Sequence, residues 1–132
     1  MSVKDSELLD AQLLAIAGVI YAPASFKLAT LEELRENANG CGGSGSFIKP
    51  PKRIYGTLIV QACIIHDWMY AKGFTIEDKD EADRVFHNNM NRLISRDSHK
   101  FYKPTWLQRR RALKYYMVVK HCGAEYYWAG KN

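Results

Sequence analysis

Thirteen residues, Leu58 to Tyr70, constrain this chain more than any others. They read Leu-Ile-Val-Gln-Ala-Cys-Ile-Ile-His-Asp-Trp-Met-Tyr, apolar nearly throughout, yet His66 and Asp67 stand side by side within them. On a helix turning about 100° per residue, His66 falls between Ile59, Ala62 and Cys63. Asp67 falls between Val60 and Cys63. The plainly polar side of that helix carries Thr57, Gln61 and Lys72 instead. Both ionisable groups therefore point into otherwise buried territory. A buried charge without compensation is costly, so each needs a partner, a metal ion or water in a cleft.

The surrounding sequence reads as helices. Ser6 to about Tyr21 is predicted helical, with Ser6 as N-cap and Leu9, Leu13, Ile16 and Ile20 at core spacing; Pro23 ends it. Thr30-Leu31-Glu32-Glu33 has capping-box character and opens a short helix to about Asn37. A glycine-dense stretch, Asn39 to Ser46, follows, and Lys49-Pro50-Pro51-Lys52 continues it as extended chain. The central helix is expected from about Gly56 to Lys72, stopping at Gly73. The next starts at Thr75-Ile76-Glu77-Asp78 and runs to about Arg96, and a last long helix runs from Pro104 to about Lys120. The tail is aromatic, with Tyr126, Tyr127 and Trp128. Strand signals are weak and no internal repeat is present. The expectation is a single, mainly α domain over residues 1–132.

The helix after Gly73 holds a second misplaced carboxylate. Ala82, Phe86, Met90, Leu93 and Ile94 form its apolar arc, and Asp83 falls near the middle of that arc. Glu77, Asp78, Asp80 and Glu81 cluster at the helix start, where they suit the dipole. A short turn at Gly73 makes the two helices antiparallel neighbours, with His66 and Asp83 at comparable heights. A hydrogen bond between them would fix the imidazole tautomer and leave the other ring nitrogen as a base. The alternative is a buried structural pair without chemistry. The glycines between Gly40 and Gly45 can aim backbone oxygens at one point, and together with Asp67 such oxygens suit Ca²⁺. Cys41 and Cys63 are a candidate disulfide that would pin this loop to the helix; Cys122 is then left over.

Gly40-Cys41-Gly42, then Ala62-Cys63-Ile64-Ile65-His66-Asp67-Trp68-Met69-Tyr70, then Ala82-Asp83-Arg84-Val85-Phe86 together resemble the secreted-type phospholipase A2 superfamily. The resemblance is to its small bacterial, fungal and parvoviral branches, with a core at about residues 37–96. A related pattern occurs in small tailed-phage proteins. The resemblance implies two long antiparallel helices carrying the site, a glycine-rich loop before the first, and additional helices at either end. It implies His66 as general base and Tyr70 and Asp83 as the groups that orient it. It implies Ca²⁺ held by Asp67 and by backbone carbonyls of Gly40, Gly42 and the Gly43–Gly45 stretch, where Ser44 replaces a glycine. A Cys41–Cys63 disulfide and hydrolysis of the sn-2 ester of glycerophospholipids are also implied. Ester hydrolysis needs an activated water and a stabilised oxyanion, for which a neutral histidine and a divalent cation suffice. No Gly-x-Ser-x-Gly nucleophile elbow is present.

Other classes compete. A His-Asp phosphohydrolase needs an upstream histidine, and none precedes His66. His121-Cys122 is the one tight zinc-type pair and lacks partners, while His87 and His99 read as solvated. The net charge of +5 and pI near 9.1 favour anionic partners. Arg109, Arg110, Arg111, Lys114 and Lys120 share a helix with Trp106, Tyr115 and Tyr116, which could serve a nucleic-acid or membrane-binding module. The preferred reading is an amphipathic helix with Trp106, Leu113, Tyr116 and Met117 in the core and its arginines in water. If the site acts on lipid, the basic face helps docking on an anionic phospholipid surface, and nucleic acid is the weaker partner. An inactive phage or virion relative of the fold is the third class. No apolar run approaches the roughly 20 residues of a membrane span. Acidic residues before Leu13 argue against a signal peptide. The expectation is a soluble protein, with secretion, virion association and delivery to a target membrane all open, as is its oligomeric state.

Overall fold

A computed structural model describes residues 3–38, 51–98, 104–129 and 131. Among these residues the chain forms seven helices and one two-stranded hairpin, in keeping with the expected mainly helical class. Helices α1 (Asp5–Ile16), α2 (Ala24–Lys27) and α3 (Leu31–Asn37) come first. Strands β1 (Arg53–Ile54) and β2 (Thr57–Leu58) follow, then α4 (Val60–Lys72), α5 (Ile76–Arg96), α6 (Thr105–Cys122) and α7 (Ala124–Trp128).

The centre of the molecule is the antiparallel pair α4 and α5. Val60, Ala62, Ile64, Ile65 and Trp68 of α4 are buried against Ala82, Val85, Phe86, Met90, Leu93 and Ile94 of α5. The turn between them is tightly specified. Thr75 caps α5 by accepting from the Asp78 amide at 3.1 Å, and the Asp78 carboxylate accepts in return from the Thr75 amide at 3.2 Å. A side chain at Gly73 would come within 2.6 Å of the Tyr127 hydroxyl, so glycine there lets α7 close over the turn. Beyond the pair, Asn89 of α5 binds both the amide and the carbonyl of Tyr21 at 2.8 Å, fixing the connection between α1 and α2.

Expectations about the bounds and faces of three helices are corrected. The central helix starts at Val60 and not near Gly56, because residues 53–58 form the hairpin. Its register pairs Arg53 with Leu58 and Ile54 with Thr57. Tyr55 and Gly56 at the turn have φ of +45° and +94°, the left-handed pair that a two-residue type I′ turn requires. Gln108 of α6 holds this hairpin, donating to the Ile54 carbonyl at 3.1 Å and to Thr57 Oγ1 at 2.9 Å. Thr57 and Gln61, expected on a polar side, are thereby buried, and Gln61 donates to Asp10 of α1 at 2.7 Å.

The first helix is capped at Lys4, not Ser6, and ends at Ile16 instead of near Tyr21. Its buried face is Leu8, Ala11 and Ala15, whereas Leu9, Leu13 and Ile16 are exposed; only Ile20, beyond the helix, is buried as expected. Ala11 and Ala15 sit with Leu8 on the face that α1 turns to α4, where small side chains permit close packing. The last long helix is rotated in the same sense. It packs through Gln108, Ala112 and Val119, while Trp106, Leu113 and Met117, expected in the core, are 63%, 46% and 42% exposed. Tyr116 is half-buried and stacks on His87, with ring centroids 4.7 Å apart. His87 is therefore not fully solvated, and burial pulls its pKa down. Among the described residues no helix is long and apolar enough to cross a membrane.

Candidate functional site

Asp83 is the hub of the interior. It is 1% exposed and accepts hydrogen bonds from three side chains. His66 Nε2 lies 2.8 Å from Oδ1, the Tyr70 hydroxyl 2.6 Å from the same oxygen, and Lys79 Nζ 2.7 Å from Oδ2. Helix geometry sets these contacts. His66 and Tyr70 lie four residues apart on α4, and Lys79 and Asp83 four apart on α5, so each pair shares a face. The antiparallel turn then brings the two faces together.

The charges fix the protons. Burial pushes the Asp83 carboxyl up, but the hydrogen bonds from His66, Lys79 and Tyr70 outweigh it and hold the group below the usual carboxylate range. Burial is the main effect on His66 and pulls its pKa below the ordinary value, against the opposing pull of Asp83. Burial and the neighbouring carboxylate push the Tyr70 hydroxyl far up, so it stays a donor. An ionised Asp83 can only accept, so the neutral imidazole carries its proton on Nε2. Nδ1 is left with a lone pair and has no hydrogen-bond partner among the described residues. The ring is held between Tyr70 and Phe86, with centroids at 4.2 Å and 4.7 Å.

Lys79 was not legible as a site residue beside its acidic neighbours, yet it is 2% exposed. Besides Asp83 it donates to the carbonyls of Val119 at 3.1 Å and Lys120 at 3.4 Å, near the end of α6. The i, i+4 spacing to a core-facing acid is the signal that marks it. Gly123, just after α6, allows this closeness: a Cβ there would sit 2.8 Å from the Tyr70 hydroxyl.

Next to the hub, a cavity of about 250 Å³ is lined by Asp67 and Tyr70 of α4 together with Glu36, Asn37, Tyr126, Tyr127 and Lys131. Lys131 donates to the Tyr70 carbonyl, and burial lowers its pKa. Asp67 is half-buried on this wall. Its oxygens, with those of Glu36 and Asn37, are the hard donors that suit a cation such as Ca²⁺. Among the described residues no group of three or more His, Cys, Asp or Glu side chains is placed to hold a metal. The remaining expected ligands, Gly40, Gly42 and Ser44, lie outside the described residues, as does Cys41, the expected partner of the buried Cys63. Cys122 is an exposed free thiol.

Residues 53–102, which contain His66, Asp67, Tyr70, Lys79 and Asp83, match a family described as a protein of unknown function, DUF1353. No curated protein and no solved structure matches the chain. The phospholipase A2 superfamily does not match, so the recognition drawn from the His66-Asp67 motif is corrected: the site-bearing stretch is similar to DUF1353 instead. The physical reason is the narrowness of the motif. An antiparallel helix pair can bring a histidine, a tyrosine and a carboxylate together at this spacing without common descent, so the motif alone does not carry a family.

Proposed function

We propose that this protein is a hydrolase that activates water at Nδ1 of His66, and that its substrate is the acyl ester of a glycerophospholipid. One observation carries the reading. Three donors converge on Asp83, which orients a neutral imidazole and leaves its second nitrogen without a hydrogen-bond partner among the described residues. The hub supports the water-activating base; the phospholipid ester is the substrate expected from the His66-Asp67 motif, and it is what the assay below tests.

The chemistry follows from these groups. Nδ1 takes a proton from water as the oxygen attacks the ester carbonyl carbon. The positive charge that forms on the imidazole is stabilised by Asp83 across the 2.8 Å contact. Asp83 stays ionised because Lys79 and Tyr70 hold it. The carbon–oxygen ester bond then breaks, and the imidazolium returns its proton to the departing alkoxide. The products are an alcohol and a carboxylic acid, which releases its proton to water as a carboxylate. Asp67 would hold Ca²⁺, with backbone oxygens of Gly40, Gly42 and Ser44 as the further ligands expected from the sequence. A bound cation supplies Lewis-acid polarisation of an ester carbonyl.

The test is release of fatty acid from mixed phospholipid vesicles with Ca²⁺ and with chelator. His66→Gln is expected to lower the rate by roughly 10²–10⁴ with the circular dichroism spectrum unchanged. No release by the unaltered protein under either condition would leave His66–Asp83 as a structural pair and overturn the reading.

A further inference from the structure

Helix α6 presents a second candidate site, independent of the first. Its buried side is Gln108, Ala112 and Val119. The opposite side carries Trp106, Arg110, Leu113 and Met117 along one line of the helix, all exposed. Lys114 and Lys120 flank that line and are also exposed. Neither Arg110 nor Lys114 has an ion-pair partner among the described residues. A notch of about 180 Å³ opens beside this line, lined by Tyr55, Leu107, Arg110, Arg111 and Lys114. Three of those five residues are cationic and none is acidic. The far wall is built by the hairpin turn: Tyr55, at φ +45°, sets its hydroxyl 3.2 Å from the Arg111 guanidinium. A non-glycine residue in that backbone region is strained, and such strain persists where the surroundings enforce it.

Two requirements meet on this surface. Exposed Trp106, Leu113 and Met117 call for an apolar phase, and Arg110, Arg111 and Lys114 beside them call for an anion. An RNA or DNA backbone answers the second and leaves the first in water. The strip on α1, Leu9, Leu13 and Ile16, answers the first alone, since its neighbours Asp5 and Asp10 are acidic. A bilayer containing anionic phospholipid answers both. We infer that α6 is a membrane-docking helix: Trp106, Leu113 and Met117 enter the interface of an anionic bilayer, and the Tyr55–Arg110–Arg111–Lys114 notch receives a lipid phosphate.

Docking is separable from turnover, so it is measured on the full chain and on His66→Gln alike. The probes are vesicles of phosphatidylcholine with and without phosphatidylglycerol, read by co-flotation. The protein is expected to bind the mixed vesicles, to lose them as salt rises, and to ignore pure phosphatidylcholine. Arg110→Ala with Lys114→Ala is expected to weaken binding roughly 20- to 30-fold, about fivefold for each charge removed. Trp106 emission should shift to the blue on binding, and Trp106→Phe should lose that shift while retaining the fold by circular dichroism. Equal binding to both vesicle types, no change in the double variant, or tighter retention on an oligonucleotide than on the vesicles would each overturn the inference.

Discussion

Helices α5 and α6 both set cations among apolar side chains, and they treat them in opposite ways. On α5, Lys79 is withdrawn from water, and its ammonium reaches one carboxylate and two carbonyls. On α6, Arg110 and Lys114 stand in water with Leu113 and Met117 beside them. The first arrangement spends its charge inside the molecule, holding Asp83 ionised under His66. The second leaves its charge available to something outside. Composition already separates the two helices, since α6 carries five Lys and Arg and no acid while α5 mixes both signs; what each cation touches then decides its use.

The sharpest way to break the contrast is at the hub. Asp83→Ala strands the Lys79 ammonium and the Tyr70 hydroxyl inside the protein, and is expected to cost about 3–5 kcal/mol of stability in urea unfolding. Tyr70→Phe removes one donor to the same carboxylate while keeping the ring, so a smaller loss of about 1.5–3 kcal/mol is expected. Gly123→Ala adds a methyl group where the Tyr70 hydroxyl and the Val119 carbonyl already press close, and should cost about 1–3 kcal/mol, with activity lowered if Tyr70 is displaced. Leu113→Ser on the outer face of α6 should change stability by no more than about 0.5 kcal/mol. A large loss there would mean that this face packs against something within the protein.

Acid sharpens the contrast further. His66 is held neutral by burial, below its ordinary value of 6.5, so the unfolded chain takes up that proton first. Its contribution is complete above 6.5 and is lost as pH falls towards the folded value. Asp83 is held below 3.8, so its contribution is complete above 3.8 and is lost at still lower pH. The melting temperature should therefore decline in two stages on acidification. His66→Gln should shrink the first stage to the part that His87 contributes, and the double change at Arg110 and Lys114 should leave both stages in place.

Much of the interior was legible in the sequence. His66 and Asp83 lie in long periodic segments joined by a short turn, and antiparallel packing leaves little freedom in how such faces meet. The outer helices were misread for one physical reason. Periodicity weights large side chains, and it nominated Leu9, Leu13 and Ile16 on α1 and Trp106, Leu113 and Met117 on α6. Close helix contact favours small ones, and Ala11 and Ala15 beside Leu8, and Ala112 between Gln108 and Val119, took the interior positions. The hairpin was hidden because Leu58 and Ile59 run into the apolar pattern of α4, and its turn rests on an unusual left-handed Tyr55. The cavity beside Asp67 draws its walls from α3, α4 and the tail, a convergence that no local pattern announces.

The grip of Lys79 on the carbonyls of Val119 and Lys120 has a practical corollary. The stretch shared with DUF1353 stops at residue 102, before either acceptor. A fragment cut to that stretch would keep every titratable member of the hub and still leave the ammonium two oxygens short. A unit that keeps all three of the ammonium's acceptors therefore extends through the final turn of α6.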